Sequence, residues 1–155
     1  MKNSQSSNKL PIENDSELLL EYGRVFAWIN LIEFLLEELI IFKGKLNLID
    51  GGLRKKLLER KMFGQKIELA DRLLEPEIIK KLKTLNKKRI LLAHNITAQE
   101  VKISNGEQRE GEYVIGQGNK KEILTKEFLL EITTLAQSLS IKLHRSFIDG
   151  MGYKK

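Results

Sequence analysis

The chain has 155 residues, of which 41% are hydrophobic and 31% are charged, and its formal net charge is +6 at pH 7. This balance fits one soluble globular domain, and the positive charge favours an anionic partner such as nucleic acid. The chain has no cysteine and two histidines, His94 and His144, which excludes disulfides and thiolate zinc sites. We therefore expect neither a metal nor a cofactor.

The first residues are rich in Ser, Asn and Lys and lack the apolar core of a signal peptide. We expect a disordered lead-in over 1–14, one helical domain over 15–150, and a short basic tail over 151–155. Charged residues interrupt the longest apolar segment, between Glu17 and Lys43, which argues against a membrane span. The expected location is the cytoplasm, with no membrane partner.

Apolar residues recur at helical spacing near the start of this domain and predict a long helix from about Ser16 to Lys43. Asn14 followed by Glu17 resembles a capping box at its start. Gly44 is the predicted C-cap.

Three further helices are predicted in the middle and late parts of the chain. The first covers about Leu53 to Met62, and Gly64 is predicted to break the chain before the second, which covers about Lys66 to Leu74. Proline is favoured at the first helical position, so the third runs from Pro76 to His94, with Asn95 as its C-cap.

The pattern becomes β-like after Asn95. Val101–Ile103 and Tyr113–Ile115 are predicted to form a hairpin, because Asn105–Gly106 favours a tight turn between them. A last helix is predicted from about Thr125 to Phe147. The predicted fold is therefore an all-α helical bundle with a small β-hairpin insert before the last helix.

The helix from Pro76 to His94 carries the candidate site. Its leucines and isoleucines form an apolar stripe, with Arg89 near the middle, Asn86 on the same side and His94 at the edge. A buried guanidinium must be met by a carboxylate, a phosphate or water, because burying an unpaired charge is costly. Arginine matches phosphate oxygens in a bidentate way, and histidine can exchange protons near neutral pH. This pattern suggests a metal-free site for cleaving RNA.

Lysines and asparagines surround this pair and are expected to support substrate binding: Lys83, Asn86, Lys87, Lys88 and Asn95. These residues could also have a purely structural role. Arg89 could pair with Glu33 or Glu37 of the first helix or reach solvent from the stripe edge. A histidine at a helix C-terminus is favoured by the macrodipole, and the lysines could form a solvated face.

The segment Leu85–Asn95, with the sequence LNKKRILLAHN, resembles the signature of HEPN-domain proteins. Ribonucleases of that family carry an arginine and a histidine separated by four to six residues. Here four residues separate Arg89 from His94, and Leu92–Ala93–His94 matches the usual ending. The specific match covers some ten residues, and the layout of helices from about Ser16 to Phe147 is compatible with the family's small all-α fold.

The resemblance implies a metal-independent endoribonuclease of toxin or defence type, with Arg89 and His94 as catalytic residues. It implies RNA cleavage that yields a 2′,3′-cyclic phosphate and a 5′-hydroxyl. It also implies a homodimer in which the arginine and histidine of both subunits meet in one cleft. A nucleotidyltransferase-like antitoxin is a possible further partner.

One position departs from the family's pattern. The residue after the arginine is commonly polar in active members, and here it is Ile90. This departure favours the alternative of a non-catalytic HEPN interaction or nucleotide-binding module. An unrelated helical nucleic-acid-binding protein that uses its lysines is a third possibility.

Overall fold

The computed structural model describes residues 15–44, 56, 58–93, 97–98, 113–117 and 120–150. Within these ranges the helices are α1 (Ser16–Lys43), α2 (Phe63–Ala70), α3 (Pro76–Ala93) and α4 (Lys126–Gly150). The strands are β1 (Thr97–Ala98), β2 (Tyr113–Gln117) and β3 (Lys120–Leu124). The fold is mainly helical with a small hairpin before the last helix, which confirms the predicted class.

The ends of α1 follow from local capping. The Asp15 carboxylate accepts a hydrogen bond from the Leu18 backbone N–H at 3.0 Å, so Asp15 is the N-cap. Asn14, the predicted cap, lies outside the described residues. At the other end the Gly44 N–H donates to the Ile40 carbonyl oxygen at 2.9 Å, and Gly44 is the C-cap as predicted.

The prediction for α2, about Lys66 to Leu74, was wrong at both ends. The helix begins at Phe63, and Gly64 lies inside its first turn instead of breaking the chain. The helix ends at Ala70, and residues 71–74 form turns and a bend. Gly64 faces α3: a Cβ atom at this position would lie 3.1 Å from the Asn86 Nδ2 atom, so a larger residue here would require the Asn86 side chain to shift slightly. Of the helix predicted over 53–62, residues 56, 58 and 59 are helical and the helical pattern ends before residue 60, whereas residues 53–55 and 57 lie outside the described residues.

Helices α1 and α4 pack side by side and run in the same direction. At their first turns Lys126 Nζ lies 3.5 Å from Glu17 Oε2. At their last turns the rings of Phe42 and Phe147 lie 5.2 Å apart. Helix α3 runs the opposite way, so its C-terminal end lies beside the starts of α1 and α4.

Two contacts establish this antiparallel packing of α3. Lys142 Nζ, near the end of α4, lies 3.1 Å from Glu77 Oε1 at the start of α3. Lys88 Nζ, near the end of α3, lies 4.7 Å from the centre of the Phe128 ring in the first turn of α4.

The sheet has the order β1-β2-β3, and both pairings are antiparallel. The partner of β2 in the hairpin is β3, with Tyr113 opposite Leu124, whereas the predicted partner Val101–Ile103 lies outside the described residues. Strand β3 begins with Lys-Lys-Glu, a composition that did not suggest a strand but suits an edge position. Ile115 and Leu124 are buried and join the sheet to the helical core.

The core is formed by the inward faces of α1, α2, α3 and α4 together with Leu58, and its largest fully buried side chains include Ile29, Leu36, Phe63, Leu82, Leu92 and Leu129. None of the helices in the described ranges is both long and apolar enough to cross a membrane.

One charged residue lies in this core. Lys66 of α2 is 4% exposed, and its Nζ atom donates to Oε1 of both Glu33 and Glu37 on α1. Burial alone would lower the pKa of Lys66, but the hydrogen bonds and charges of Glu33 and Glu37 outweigh burial and raise it. The ammonium is therefore fully charged at neutral pH and joins α2 to α1.

Replacing Lys66 with methionine should destabilise the fold, because it leaves two carboxylates one helical turn apart without their cation. We expect the free energy of unfolding to fall by about 2–3 kcal/mol. This is less than for a fully buried pair, since the Glu33 and Glu37 side chains are 22% and 30% exposed. Urea unfolding measures the change, and Lys142→Met, at an exposed ion pair, is the control and should have a much smaller effect.

Adding Glu33→Gln and Glu37→Gln to Lys66→Met should restore much of this lost stability, and a triple variant no more stable than the single one would contradict the ion-pair explanation.

The contact of Lys66 with Glu33 and Glu37 also makes the stability of the fold depend on pH. Because folding raises the pKa of Lys66, its stabilisation is complete below the usual value of about 10.5 and is lost as the pH rises through the raised value. Lys66→Met should therefore reduce the loss of stability above pH 10.5.

Candidate functional site

Arg89 lies where α3 meets the first residue of α2. Its side chain is half-buried, and its guanidinium carbon Cζ lies 6.0 Å from the centre of the Phe63 ring. Phe63 itself is fully buried. An aromatic face favours a guanidinium above it and restricts its movement, at a distance near the limit of about 6 Å for such contacts. Arg89 thus lies at the margin of the core.

Asn86 lies one helical turn before Arg89 and faces the same end of α2. Its side chain is half-buried, and its amide nitrogen lies close above Gly64. The first turn of α2 contains no acidic residue, and the Met62 N–H donates to the side chain of Gln65 at 2.9 Å. Two side chains that donate hydrogen bonds therefore lie beside the positive end of a helix, an arrangement that favours an anion.

Arg89 does not pair with the acids of α1. The Glu33 and Glu37 carboxylates, which sequence reasoning offered as its possible partners, accept hydrogen bonds from Lys66. Across the part of the chain that the structure describes, Arg89 makes no ion pair. Its positive charge is therefore compensated by no described side chain.

The lysines predicted to support the site point in different directions. Lys88 contacts Phe128 of α4, whereas Arg89 contacts α2, so the structure separates these neighbouring cations. Lys83 is exposed, and its Nζ atom lies 3.9 Å from Asp71 Oδ1, while Lys87 is exposed on the outer face of α3. Lys83 and Lys87 therefore contribute charge to the surface, and Lys88 contributes to packing.

The remaining predicted residues follow the end of the helix. His94 and Asn95 lie outside the described residues, directly after Ala93, the last residue of α3. Ile90, the apolar residue beside Arg89, is 48% exposed.

Sequence reasoning missed three residues that support this region: Tyr22, Phe63 and Lys66. The Tyr22 hydroxyl donates to the Leu92 carbonyl oxygen at 2.8 Å, next to the end of α3. Tyr22 shares the helical spacing of Leu18 and Val25 in the sequence, and a tyrosine on such an apolar face usually needs a hydrogen-bond partner. Lys66 shares helical spacing with Phe63 and Ala70, which is a detectable signal for a buried lysine.

Among the described residues no group of three or more His, Asp or Glu side chains is arranged to hold a metal ion. No known protein family, curated protein or solved structure matches the chain.

Phosphate binding tests this geometry without any assumption about catalysis. Inorganic phosphate should raise the midpoint of thermal unfolding of the wild type more than chloride does at equal ionic strength, because a ligand that binds the folded state stabilises it. Arg89→Gln should lose most of this difference, whereas Lys87→Gln, at an exposed position of the same helix, should keep it. Equal phosphate effects in the wild type and Arg89→Gln would show that Arg89 does not bind the anion.

Proposed function

We propose that the chain is a metal-independent endoribonuclease of the HEPN toxin or defence type, which acts in the cytoplasm and cleaves RNA with Arg89 and His94. The observation that supports this most directly is the environment of Arg89. A half-buried guanidinium lies on the Phe63 ring beside Asn86 and makes no ion pair among the described residues. Such a side chain is suited to bind a phosphodiester.

The proposed reaction is attack of a ribose 2′-hydroxyl on the adjacent phosphorus. His94 accepts the proton of the attacking hydroxyl as a general base. The bond from phosphorus to the 5′ oxygen breaks, and that oxygen takes a proton from a general acid. Arg89 donates to the non-bridging oxygens and stabilises the negative charge that increases in the transition state. The products are a 2′,3′-cyclic phosphate and a 5′-hydroxyl.

The general acid is proposed to come from a second copy of the chain. One chain provides a single histidine near Arg89, whereas a two-fold axis through this region would place two such pairs together. Ile90 supports this proposal, because an isoleucine that is 48% exposed beside the site is suited to a contact between copies. The proposed cleft then lies between the two α3 helices.

Cleavage of RNA in the presence of a chelator tests the proposal. The wild type should produce cyclic-phosphate ends, and His94→Ala should reduce the rate by about a hundredfold or more, as expected for loss of a general base. Arg89→Gln should cost on the order of a hundredfold through loss of charge stabilisation. His144→Ala, at an exposed position on α4, is the matched control and should cleave like the wild type. Cleavage that survives His94→Ala would reject the assignment.

Ile90→Asp tests the role of a second copy. Burial of a carboxylate in the interface should convert a dimer to a monomer and remove cleavage activity, while the monomer stays folded. Ile141→Asp is the matched control, because Ile141 is a similarly exposed isoleucine on α4, at 55%. Sedimentation velocity gives the oligomeric state, and a dimer that survives Ile90→Asp would exclude this surface as the interface.

A non-catalytic interaction or nucleotide-binding module of the same family is the second candidate function. It is favoured by Ile90, which stands where active members commonly have a polar residue. Under this alternative the wild type cleaves no RNA, and its dimer or its complex with a nucleotidyltransferase-like antitoxin persists in Arg89→Ala and His94→Ala. Cleavage that depends on His94 would exclude it.

A further inference from the structure

We infer that Tyr22 is a positioning residue for Arg89 of the candidate site, because its hydroxyl fixes the last turn of α3, which directly follows Arg89. Tyr22 lies in the second turn of α1, and its Oη atom donates to the Leu92 carbonyl oxygen at 2.8 Å. The two residues are 70 positions apart in the chain. The contact therefore joins the start of one helix to the end of another.

The Leu92 carbonyl is a suitable acceptor because of its place in the helix. The last four carbonyl groups of an α-helix lack partners within the helix, and Leu92 is the penultimate residue of α3. The phenol supplies a hydrogen bond to one of these groups. The Leu92 side chain is also fully buried, so the residue is fixed both through its side chain and through its carbonyl group.

Tyr22 is itself held in place. Its ring is half-buried and lies 5.0 Å from the ring of Phe26, at an interplanar angle of 57°. Burial raises the pKa of the Tyr22 phenol above its usual value of 10.0, so the hydroxyl is protonated at neutral pH and can donate. The side chain is thus a fixed donor and not a mobile surface group.

The consequence for the site follows from spacing along α3. Arg89 precedes Leu92 by one helical turn, and His94 follows it by two residues. Fraying of the last turn would loosen the end of α3 that carries Arg89 and weaken the contact of its guanidinium with the Phe63 ring. Catalytic groups must be held close to their productive geometry, so such fraying would slow a reaction that uses Arg89. The catalytic part of this inference rests on the proposed function, but the structural part does not.

Tyr22→Phe is the variant that tests it, because this change removes the hydroxyl and keeps the ring against Phe26. The loss of one hydrogen bond should increase amide hydrogen exchange of Leu92 and Ala93 by on the order of fivefold. Tyr113→Phe is the matched control, since Tyr113 is a half-buried tyrosine on β2, and it should leave that exchange unchanged. Equal exchange in Tyr22→Phe and the wild type would overturn the inference.

Cleavage kinetics provide the second measurement. In Tyr22→Phe we expect kcat to fall by about fivefold, with KM little changed, because the arrangement of the site is altered and its RNA-binding side chains remain. Faster exchange with an unchanged kcat would overturn the positioning role. If the wild type cleaves no RNA, the ribonuclease proposal fails by itself, and the exchange comparison still confirms or overturns the fixing of α3 by Tyr22.

Discussion

The need to neutralise one buried ammonium group determines how this structure is assembled around the candidate site. Lys66 lies in the core, and both carboxylates that accept its hydrogen bonds come from α1. Because a buried charge without a partner is costly, α2 can occupy only a position that brings Lys66 to those acids. Phe63 begins the same short helix, so this ion pair also determines where the aromatic ring lies under Arg89.

Positive charge is unevenly compensated along α3. Near its start, Glu77 accepts hydrogen bonds from Lys142 and Lys81, and these contacts hold the pKa of the Glu77 carboxyl below its usual value. Near its end, Lys87 and Arg89 make no ion pair within the described ranges. The end of the helix therefore carries more uncompensated charge than its start, where only Lys80 makes no ion pair within the described ranges, and α1 and α2 both support this end. This asymmetry is more informative than the net charge of the whole chain.

The sequence was sufficient to predict the long helices with regular apolar spacing. The observed ends of α1, α3 and α4 lie within about three residues of the predicted ends. The sequence was insufficient for α2, whose glycine lies beside Asn86 of α3, and for β3, whose first residues, Lys-Lys-Glu, are not typical of a strand. The contact of α2 depends on a neighbour distant in the chain, and β3 depends on pairing with the adjacent β2, which its own residue types do not indicate.

The candidate site likewise has a part that the sequence predicted and a part that it did not. Arg89 was detectable because it interrupts an apolar stripe on its own helix. Its surroundings were not, since the partners of Lys66 lie 29 and 33 residues away and the Tyr22 hydroxyl reaches a carbonyl 70 residues distant. The residue types of one helix can show that a charged side chain stands at an apolar position. Which groups surround that side chain depends on how the helices pack against one another.

The parallel arrangement of α1 and α4 gives the domain two unlike poles. Asp15 and the last turn of α3 lie at one pole, whereas Gly150 lies at the other, where it approaches Phe42. Helix α4 alone has 25 residues and spans roughly 37 Å, so the two poles are far apart. A segment that precedes Asp15 therefore joins the domain at the pole that holds the end of α3, whereas a segment that follows Gly150 joins it at the opposite pole.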